Sequence, residues 1–154
     1  MLWRTSGLLL NRKVRFLDKA KSKSALVRMI ELLNAGDVDG AMELVSPEFS
    51  GVEVPIGEII RGKDGVRNEA AGWSGLDGIQ RLTNVIEVDE QVVLEGIFEG
   101  THSGKIVLGK ETFPATGRRI EFRFCTVGTV RNGLVVGETH YYDMENLRAQ
   151  LLGN

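Results

Sequence analysis

The strongest constraint on the fold of this chain is a change in hydrophobic periodicity near residue 78. Before that point apolar residues recur every three or four positions, a spacing typical of amphipathic helices. After it, β-branched and aromatic residues alternate with polar ones, which is typical of half-buried strands. Helices followed by a series of strands predict an α+β domain, with the helices packed on one face of a curved antiparallel sheet.

Three helices are predicted before the change. The segment "SKSALVRMIELLNAGD" predicts a helix that begins after the cap residue Ser24 and ends at Gly36. A shorter helix follows, capped by Asp37 or Asp39 and ended by Pro47. The segment "GKDGVRNEAAGW" predicts the third helix, whose candidate inward positions are Val66, Ala70 and Trp73.

The second half of the chain contains a strong hairpin signal. Asn132 and Gly133 separate two long alternating runs, and Asn-Gly favours the tight turn that joins antiparallel strands. The letters "DEQ" separate two earlier strand runs in the same way. A closing helix is predicted over "MENLRAQLL".

Length and composition indicate one globular domain. A chain of 154 residues can bury a substantial core but is short for two domains. Its apolar runs are too short to cross a membrane. Cys125 is the single cysteine, which excludes an intramolecular disulfide and fits a reducing compartment. We therefore expect a cytoplasmic protein.

The charge is distributed unevenly along the chain. Residues 1–23 carry seven basic side chains against Asp18 alone, so the remaining residues carry twelve basic and twenty acidic side chains. An acidic domain without a basic stripe argues against nucleic-acid binding. Residues 1–23 are predicted to be a basic extension outside the domain of residues 24–154; a leader for import into an organelle is the other reading of this segment.

Polar and aromatic side chains are crowded between the last strand and the last helix. Strand alternation places on one face Leu134, Val136, Glu138, His140 and Tyr142. It places on the opposite face Val135, Thr139, Tyr141 and Asp143. Both faces are apolar near the hairpin, so the alternation alone does not say which of them is interior.

The polar residues of this segment could have a structural role or a catalytic one. An imidazole can take or give a proton near neutral pH, but His140 could equally be a half-buried side chain held by Glu138 or by backbone. Asp143 is well placed to cap the last helix. Tyr141 is predicted to pack outward or at a dimer contact.

Two further residues are candidates for a binding site. His102 lies between two glycines where a strand ends, and is either a structural turn residue or a ligand contact at the mouth of a pocket. Trp73 is either a pocket wall or part of the core. No phosphate-binding glycine loop or serine nucleophile motif is present, and two His separated by 38 residues are weak evidence for a metal. We therefore expect neither a cofactor nor a metal ion.

Several segments resemble a known family: "GTHSG", "FPATGRRIEF" and "NGLVVGETHYYDMENLRAQLLG". Together with the opening helix and "NAGDVDGAMELVSPEF", they resemble the SnoaL-like polyketide cyclases of the nuclear transport factor two-like superfamily over roughly residues 24–153. The resemblance implies a cone-shaped barrel, made of a strongly bent antiparallel sheet with the N-terminal helices on its concave face.

The resemblance also implies a site at the end of the last strand. Family members often carry an acid/base Asp there, and the corresponding position in this chain is His140, while Asp143 keeps a second acidic position at the start of the final helix. It places the His140 face inside the cone, where Glu138 and Tyr142 would converge with it in a mostly apolar pocket.

The function implied is proton transfer on a small, largely apolar carbonyl or polyketide-like compound, by cyclisation, isomerisation or dehydration. His140 would be the acid/base, Tyr142 the donor to a developing oxyanion, and Asp143 or Glu138 the orienting group. His102, Trp73 and Glu138 would contact the substrate. The alternatives are a non-catalytic module that binds a hydrophobic ligand, or a structural dimer of the same fold.

The predicted sheet has one face covered by helices, so its other face would be exposed to solvent unless another chain packs on it. Isologous dimers are the commonest soluble assembly. We therefore expect a homodimer through the outer face, with Arg123 and Tyr141 in or near the contact.

Overall fold

The computed structural model describes residues 24–153, which form four helices and eight strands. The helices are α1 (Ala25–Asn34), α2 (Val38–Glu43), α3 (Gly62–Trp73) and α4 (Met144–Leu152). The strands are β1 (Val45–Glu53), β2 (Glu58–Arg61), β3 (Leu76–Val88), β4 (Gln91–His102), β5 (Ile106–Leu108), β6 (Glu111–Phe113), β7 (Arg119–Arg131) and β8 (Leu134–Tyr142). The predicted basic extension, residues 1–23, lies outside the described residues. No helix of residues 24–153 is both long and apolar enough to cross a bilayer.

Six of the strands form one strongly bent sheet in the order β2-β1-β8-β7-β4-β3, and β5 and β6 form a separate hairpin. The long neighbours β3, β4, β7 and β8 pair antiparallel, as the strand series predicts. Strand β1 joins them by a parallel pairing with β8. The sheet does not close, because β2 and β3 remain as its edges.

The helix caps follow the sequence signals. The Ser24 side chain accepts a hydrogen bond from the backbone of α1, and Gly36 follows that helix with a positive φ of 76°. The Asp37 side chain caps α2 in the same way. These side chains satisfy backbone N–H groups that have no partner within the helix.

The segment after α2 is where the structure differs most from the sequence prediction. Pro47 does not simply end a helix; it lies within β1, whose residues alternate between buried and exposed positions less regularly than those of β7. Proline cannot donate to a strand ladder, and the register between β1 and β8 shifts next to this position. Because the turn signals dominate this segment, its strand character is weak in the sequence.

Two apolar clusters fill the concave side of the sheet. One joins α1, α2 and the start of β1 to strands β4 and β8, with Leu26, Phe49 and Leu94 among its buried members. The other joins α4 and the β5–β6 hairpin to β4 and β7, with Ile120 and Leu147 fully buried. The space between the two clusters is open, and it forms the cavity described next.

Candidate active site

A cavity of about 410 Å³ opens between α1, α3 and the concave face of the sheet. An aromatic wall is formed by Phe98, Phe122 and Tyr142, with Trp73 standing edge-on to Tyr142 at 5.6 Å between ring centroids. Among the described residues, no Lys or Arg lines this cavity. The polar side chains in the lining are Asn34, Glu53, Glu69, Ser74, Asp77, Gln80, Glu138, His140 and Tyr142.

A β-bulge sets which residues of β8 face this cavity. The pairing of β8 with β7 shifts between Thr129 and Val130, and this adds one residue to β8 near its start. As a result Val135 is fully buried in the core, whereas Leu134 and Val136 are only partly buried. The sequence prediction, which put Leu134 and Val136 on the interior face, was wrong for this part of the strand.

Beyond the bulge the alternation holds. Glu138, His140 and Tyr142 line the cavity, while Tyr141 points away from it and is 46% exposed. Phe124 also lines the cavity, and its ring packs over Gly96 of β4. Any larger residue at position 96 would clash, because a Cβ there would lie 2.4 Å from the Phe124 ring.

The His140 ring is held by contacts at both nitrogens. Its Nδ1 lies 2.8 Å from Oγ1 of Thr126. Thr126 belongs to the neighbouring strand β7 and is fully buried. Its Nε2 lies 3.1 Å from Oε1 of Glu138 and 3.9 Å from Oε1 of Glu69. The ring therefore has one orientation, with Nε2 directed at two carboxyl groups.

These carboxyl groups raise the pKa of His140. Burial on its own would lower the pKa of His140, but the charge and hydrogen bond of Glu138, followed by the charge of Glu69, raise it to about 9. Burial raises the pKa of Glu69 to about 8, against the opposing charge of His140. The net effect of the surrounding carboxyl groups is to favour the imidazolium form of His140.

Glu138 has one oxygen to spare. Its side chain is almost fully buried, and Oε1 contacts His140, but Oε2 has no hydrogen-bond partner among residues 24–153. A buried carboxylate oxygen without a donor is unfavourable unless a ligand or a proton occupies it. Oε2 of Glu138 is therefore open to a donor that a ligand brings into the cavity.

Tyr142 is committed to another residue. Its hydroxyl donates a hydrogen bond of 2.5 Å to Oε1 of Glu53, which is buried at the end of β1. Burial, then this hydrogen bond, raise the pKa of Tyr142 well above its usual range. Burial likewise raises the pKa of Glu53. The pair forms a neutral phenol on a carboxyl group beside the Glu138–His140 pair.

The site contains the one group in the described part of the chain that has the spacing of a metal site. Ligand atoms of Glu69, Glu138 and His140 all lie within 4.8 Å of one another. Nε2 of His140 and Oε1 of Glu138 lie 3.1 Å apart, which is within hydrogen-bond distance, so a proton between them can hold these two side chains together without an ion.

Two of the sequence candidates lie away from the cavity. Asp143 caps α4, its Oδ1 accepting from the Asn146 backbone N–H at 2.9 Å, and it does not line the cavity. His102 is fully buried at the end of β4, with Nδ1 3.0 Å from Oγ1 of Thr116, and it does not line the cavity either. The remaining candidates, His140, Tyr142, Trp73 and Glu138, lie together in the lining.

Glu53 and Glu69 belong to the site but were not predicted. Glu69 had a signal in the sequence: it falls on the same helical face as Val66, Ala70 and Trp73, the positions predicted to face inward. A carboxylate on such a face is a candidate for a buried polar role. Glu53 had no comparable signal, because its strand was not predicted.

Comparison with known proteins bears on the family and the fold of this chain. The sequence profile of the SnoaL-like polyketide cyclases matches residues 23–151. A search of curated proteins found no significant match.

The fold is also shared with solved structures. A candidate SnoaL-like polyketide cyclase from Jannaschia sp. CCS1 superimposes with a TM-score of 0.72 at 17% identity, covering 87% of this chain and 99% of that one. IdmH, a candidate polyketide cyclase from Streptomyces antibioticus, gives 0.69 at 22% identity over 84% and 96% of the two chains. A hypothetical protein with a ketosteroid isomerase-like fold from Catenulispora acidiphila DSM 44928, solved in complex with trimethylamine, gives a TM-score of 0.69 at 13% identity over 84% of this chain and 93% of that one. The match over nearly all of the described domain shows that the chain belongs to the SnoaL-like polyketide cyclase family.

Proposed function

We propose that this protein catalyses proton transfer on a small, largely apolar, uncharged carbonyl compound of the polyketide type, as a lyase or an isomerase. The observation that carries the proposal is the Glu138–His140 pair, joined at 3.1 Å in a cavity with an aromatic wall. Because no Lys or Arg among the described residues lines the cavity, a carboxylate or phosphate on the substrate would be poorly accommodated.

In this mechanism Glu138 is the base and His140 is the group that stabilises the developing negative charge. The free Oε2 of Glu138 takes a proton from the carbon next to the carbonyl group, and electrons of the broken C–H bond move into an enolate. The His140 imidazolium stabilises the negative charge on the enolate oxygen. Glu138 then returns the proton to a different carbon in an isomerisation, or to a leaving hydroxyl in a dehydration.

In a cyclisation, the same enolate attacks a second carbonyl carbon of the substrate. The new alkoxide takes a proton from the His140–Glu138 pair, so the number of protons on the protein is restored. The apolar walls of the cavity favour a folded, compact substrate with its reacting groups held close together. Tyr142 contributes shape and a fixed dipole, since its hydroxyl already donates its proton in a hydrogen bond to Glu53.

The experiment is the exchange of α-hydrogen for deuterium in a panel of neutral cyclic ketones, including 1-indanone and 2-tetralone, followed by NMR in D₂O. We expect exchange by the wild-type protein, with His140→Asn and Glu138→Gln each lowering the rate by about a hundredfold or more, the usual scale for an acid/base group. Asp143→Asn tests whether the catalytic carboxyl group is Asp143 rather than Glu138. Because Asp143 does not line the cavity, we expect this variant to exchange like wild type. Full exchange by His140→Asn and Glu138→Gln, with the fold intact, would exclude this mechanism.

We also propose that the protein is a homodimer through the convex face of the sheet. A partly exposed, mostly apolar row crosses all six strands in register on this face: Ile59, Val52, Thr139, Val127, Val93 and Ile86. Arg123 and Tyr141 lie on the same face and are exposed. A continuous apolar stripe with charged and aromatic neighbours is the kind of surface on which two copies associate.

A further inference from the structure

A second, smaller cavity of about 270 Å³ adjoins the main cavity along α3. Three residues line both cavities and form the partition between them: Glu53, Glu69 and Trp73. The second cavity is also lined by Glu58 and Asn68, both of which are exposed to solvent. Of the two carboxyl groups in this partition, Glu53 accepts the hydrogen bond of Tyr142, whereas Glu69 lies 3.9 Å from Nε2 of His140 and also lines the second, solvent-accessible cavity.

The Glu138–His140 pair needs such a connection. A ligand that fills the main cavity separates the pair from bulk water, and a buried group exchanges protons only along a path of donors and acceptors. The Nδ1 side of the ring is closed by Thr126, which has no exposed surface and does not titrate. A route through Tyr142 would require its phenol to give up a proton, and burial and the hydrogen bond to Glu53 raise the pKa of that phenol well above its usual range.

Glu69 has the position and the chemistry for this role. Its Oε1 lies 3.9 Å from Nε2 of His140, so a movement of about 1 Å brings the two atoms to hydrogen-bond distance. Burial raises the pKa of Glu69 to about 8, against the charge of His140 and with those of Glu138, Glu53 and Glu58 adding to the rise. A group that titrates near neutral pH can both give and take a proton there.

We propose that Glu69 carries protons between the Glu138–His140 pair and solvent in the second cavity, so that the pair exchanges protons while a ligand occupies the main cavity. This proposal rests on the proposed function for its purpose. In each transfer one O–H bond of Glu69 breaks as one N–H or O–H bond of the pair forms, or the reverse. Water in the second cavity then restores the proton of Glu69, and no electrons are exchanged with a second reagent.

The chain offers a variant that blocks the second cavity without touching the pair. Gly72 lines that cavity, and a Cβ added to it would meet nothing within 4 Å, so Gly72→Leu can fill the space. The matched control is Ala71→Leu, one position along the same helix, where the side chain is exposed and lines neither cavity. Glu69→Gln removes the proton carrier itself.

The test is the solvent exchange rate of the His140 ring N–H, measured by NMR on protein labelled with ¹⁵N-histidine. The main cavity is filled with 1-adamantanol, at a concentration that saturates the shifts of the Phe122 and Phe124 ring protons. We expect wild type and Ala71→Leu to keep exchanging in the presence of the probe, and Glu69→Gln and Gly72→Leu to exchange at least tenfold more slowly.

Two results would overturn the proposal. Either the probe slows exchange in wild type as much as in the two variants, or Glu69→Gln and Gly72→Leu exchange as fast as wild type with the probe bound. Neither result depends on turnover of a ketone. Loss of ketone exchange in every protein, with the exchange pattern of the His140 ring as expected, would refute the proposed function and leave the proton route in place.

Discussion

At the scale of single residues, the His140 ring is defined by what each nitrogen contacts. Thr126 holds Nδ1 from the neighbouring strand, and Glu138 holds Nε2 from two residues earlier on the same strand. In the imidazolium form both nitrogens are donors, so both partners accept. The orientation of the ring therefore depends on a hydroxyl that does not line the cavity.

Thr126→Val should test this dependence, because valine keeps the shape of threonine and removes the hydroxyl. A buried N–H left without an acceptor costs about 1–3 kcal/mol, so we expect a loss of this size in chemical denaturation. We also expect Thr126→Val to exchange the ketone hydrogens more slowly than wild type, because the His140 ring is no longer held at Nδ1. Thr126→Ser retains the hydroxyl and should recover most of that rate, although it also removes a buried methyl group. Equal exchange rates for Thr126→Val and wild type would show that the ring is held by Glu138 alone.

At the scale of secondary-structure elements, the junction of β8 and α4 separates a structural role from a chemical one. Tyr142 ends the strand inside the cavity, and Asp143 turns the chain outward and caps the helix. The helix then packs over the second apolar cluster through Leu147 and Leu151. Two residues that are adjacent in sequence therefore belong to different parts of the molecule.

Asp143→Ala should destabilise the protein by about 1 kcal/mol, since it leaves a backbone N–H of α4 without its acceptor. Asparagine is also a good N-cap residue, so Asp143→Asn should unfold at nearly the denaturant concentration of wild type. If Asp143→Ala unfolds like wild type, water replaces the cap at no cost and the carboxyl group has no structural role.

The sequence predicted those elements whose signals are local. The four helices and the β7–β8 hairpin rest on caps, periodicity and the Asn132–Gly133 turn, all of which act over a few residues. Strand β1 depends on its long-range pairing with β8, and a proline in it conceals its strand character. The bulge in β8 likewise has no local signal, because the extra residue is accommodated by the pairing of two strands.

The same distinction applies to the site. Glu138, His140 and Tyr142 share a strand, so alternation was enough to group them. The partners that set their chemistry come from other elements, Glu53 from β1 and Glu69 from α3, and only the folded chain brings these within reach. Periodicity shows which face a residue lies on but not what it meets there.

At the scale of the whole molecule, the two faces of the sheet have separate roles. The concave face carries the helices, both apolar clusters and the cavity. The convex face carries the apolar row through Val93 and Val127. None of the residues of this row lines the cavity. The cavity is lined by residues of a single chain, and the proposed homodimer would use the opposite surface.

Light scattering should show a dimer at micromolar concentration, and Val127→Lys should shift it to monomer, because a charge in the middle of the row would be buried without a partner on association. The control is Val107→Lys, which places the same charge at a position 50% exposed on the separate β5–β6 hairpin. A wild-type protein that is monomeric, or a Val127→Lys variant that stays dimeric, would contradict an interface at this row.

The central claim is that Glu138 and His140 form a charged, proton-sharing pair, and an NMR titration of the imidazole rings tests it without a substrate. The chain has only two histidines, and His102 lies outside the cavity, so the two titrations can be assigned with a single His102→Gln variant. Because the carboxyl groups raise its pKa to about 9, His140 should stay protonated through neutral pH and lose its proton only as the pH rises through that value. In Glu138→Gln the largest favourable charge is absent, so the pKa of His140 should fall. A wild-type His140 that deprotonates at or below 6.5, the ordinary value for histidine, would contradict the account.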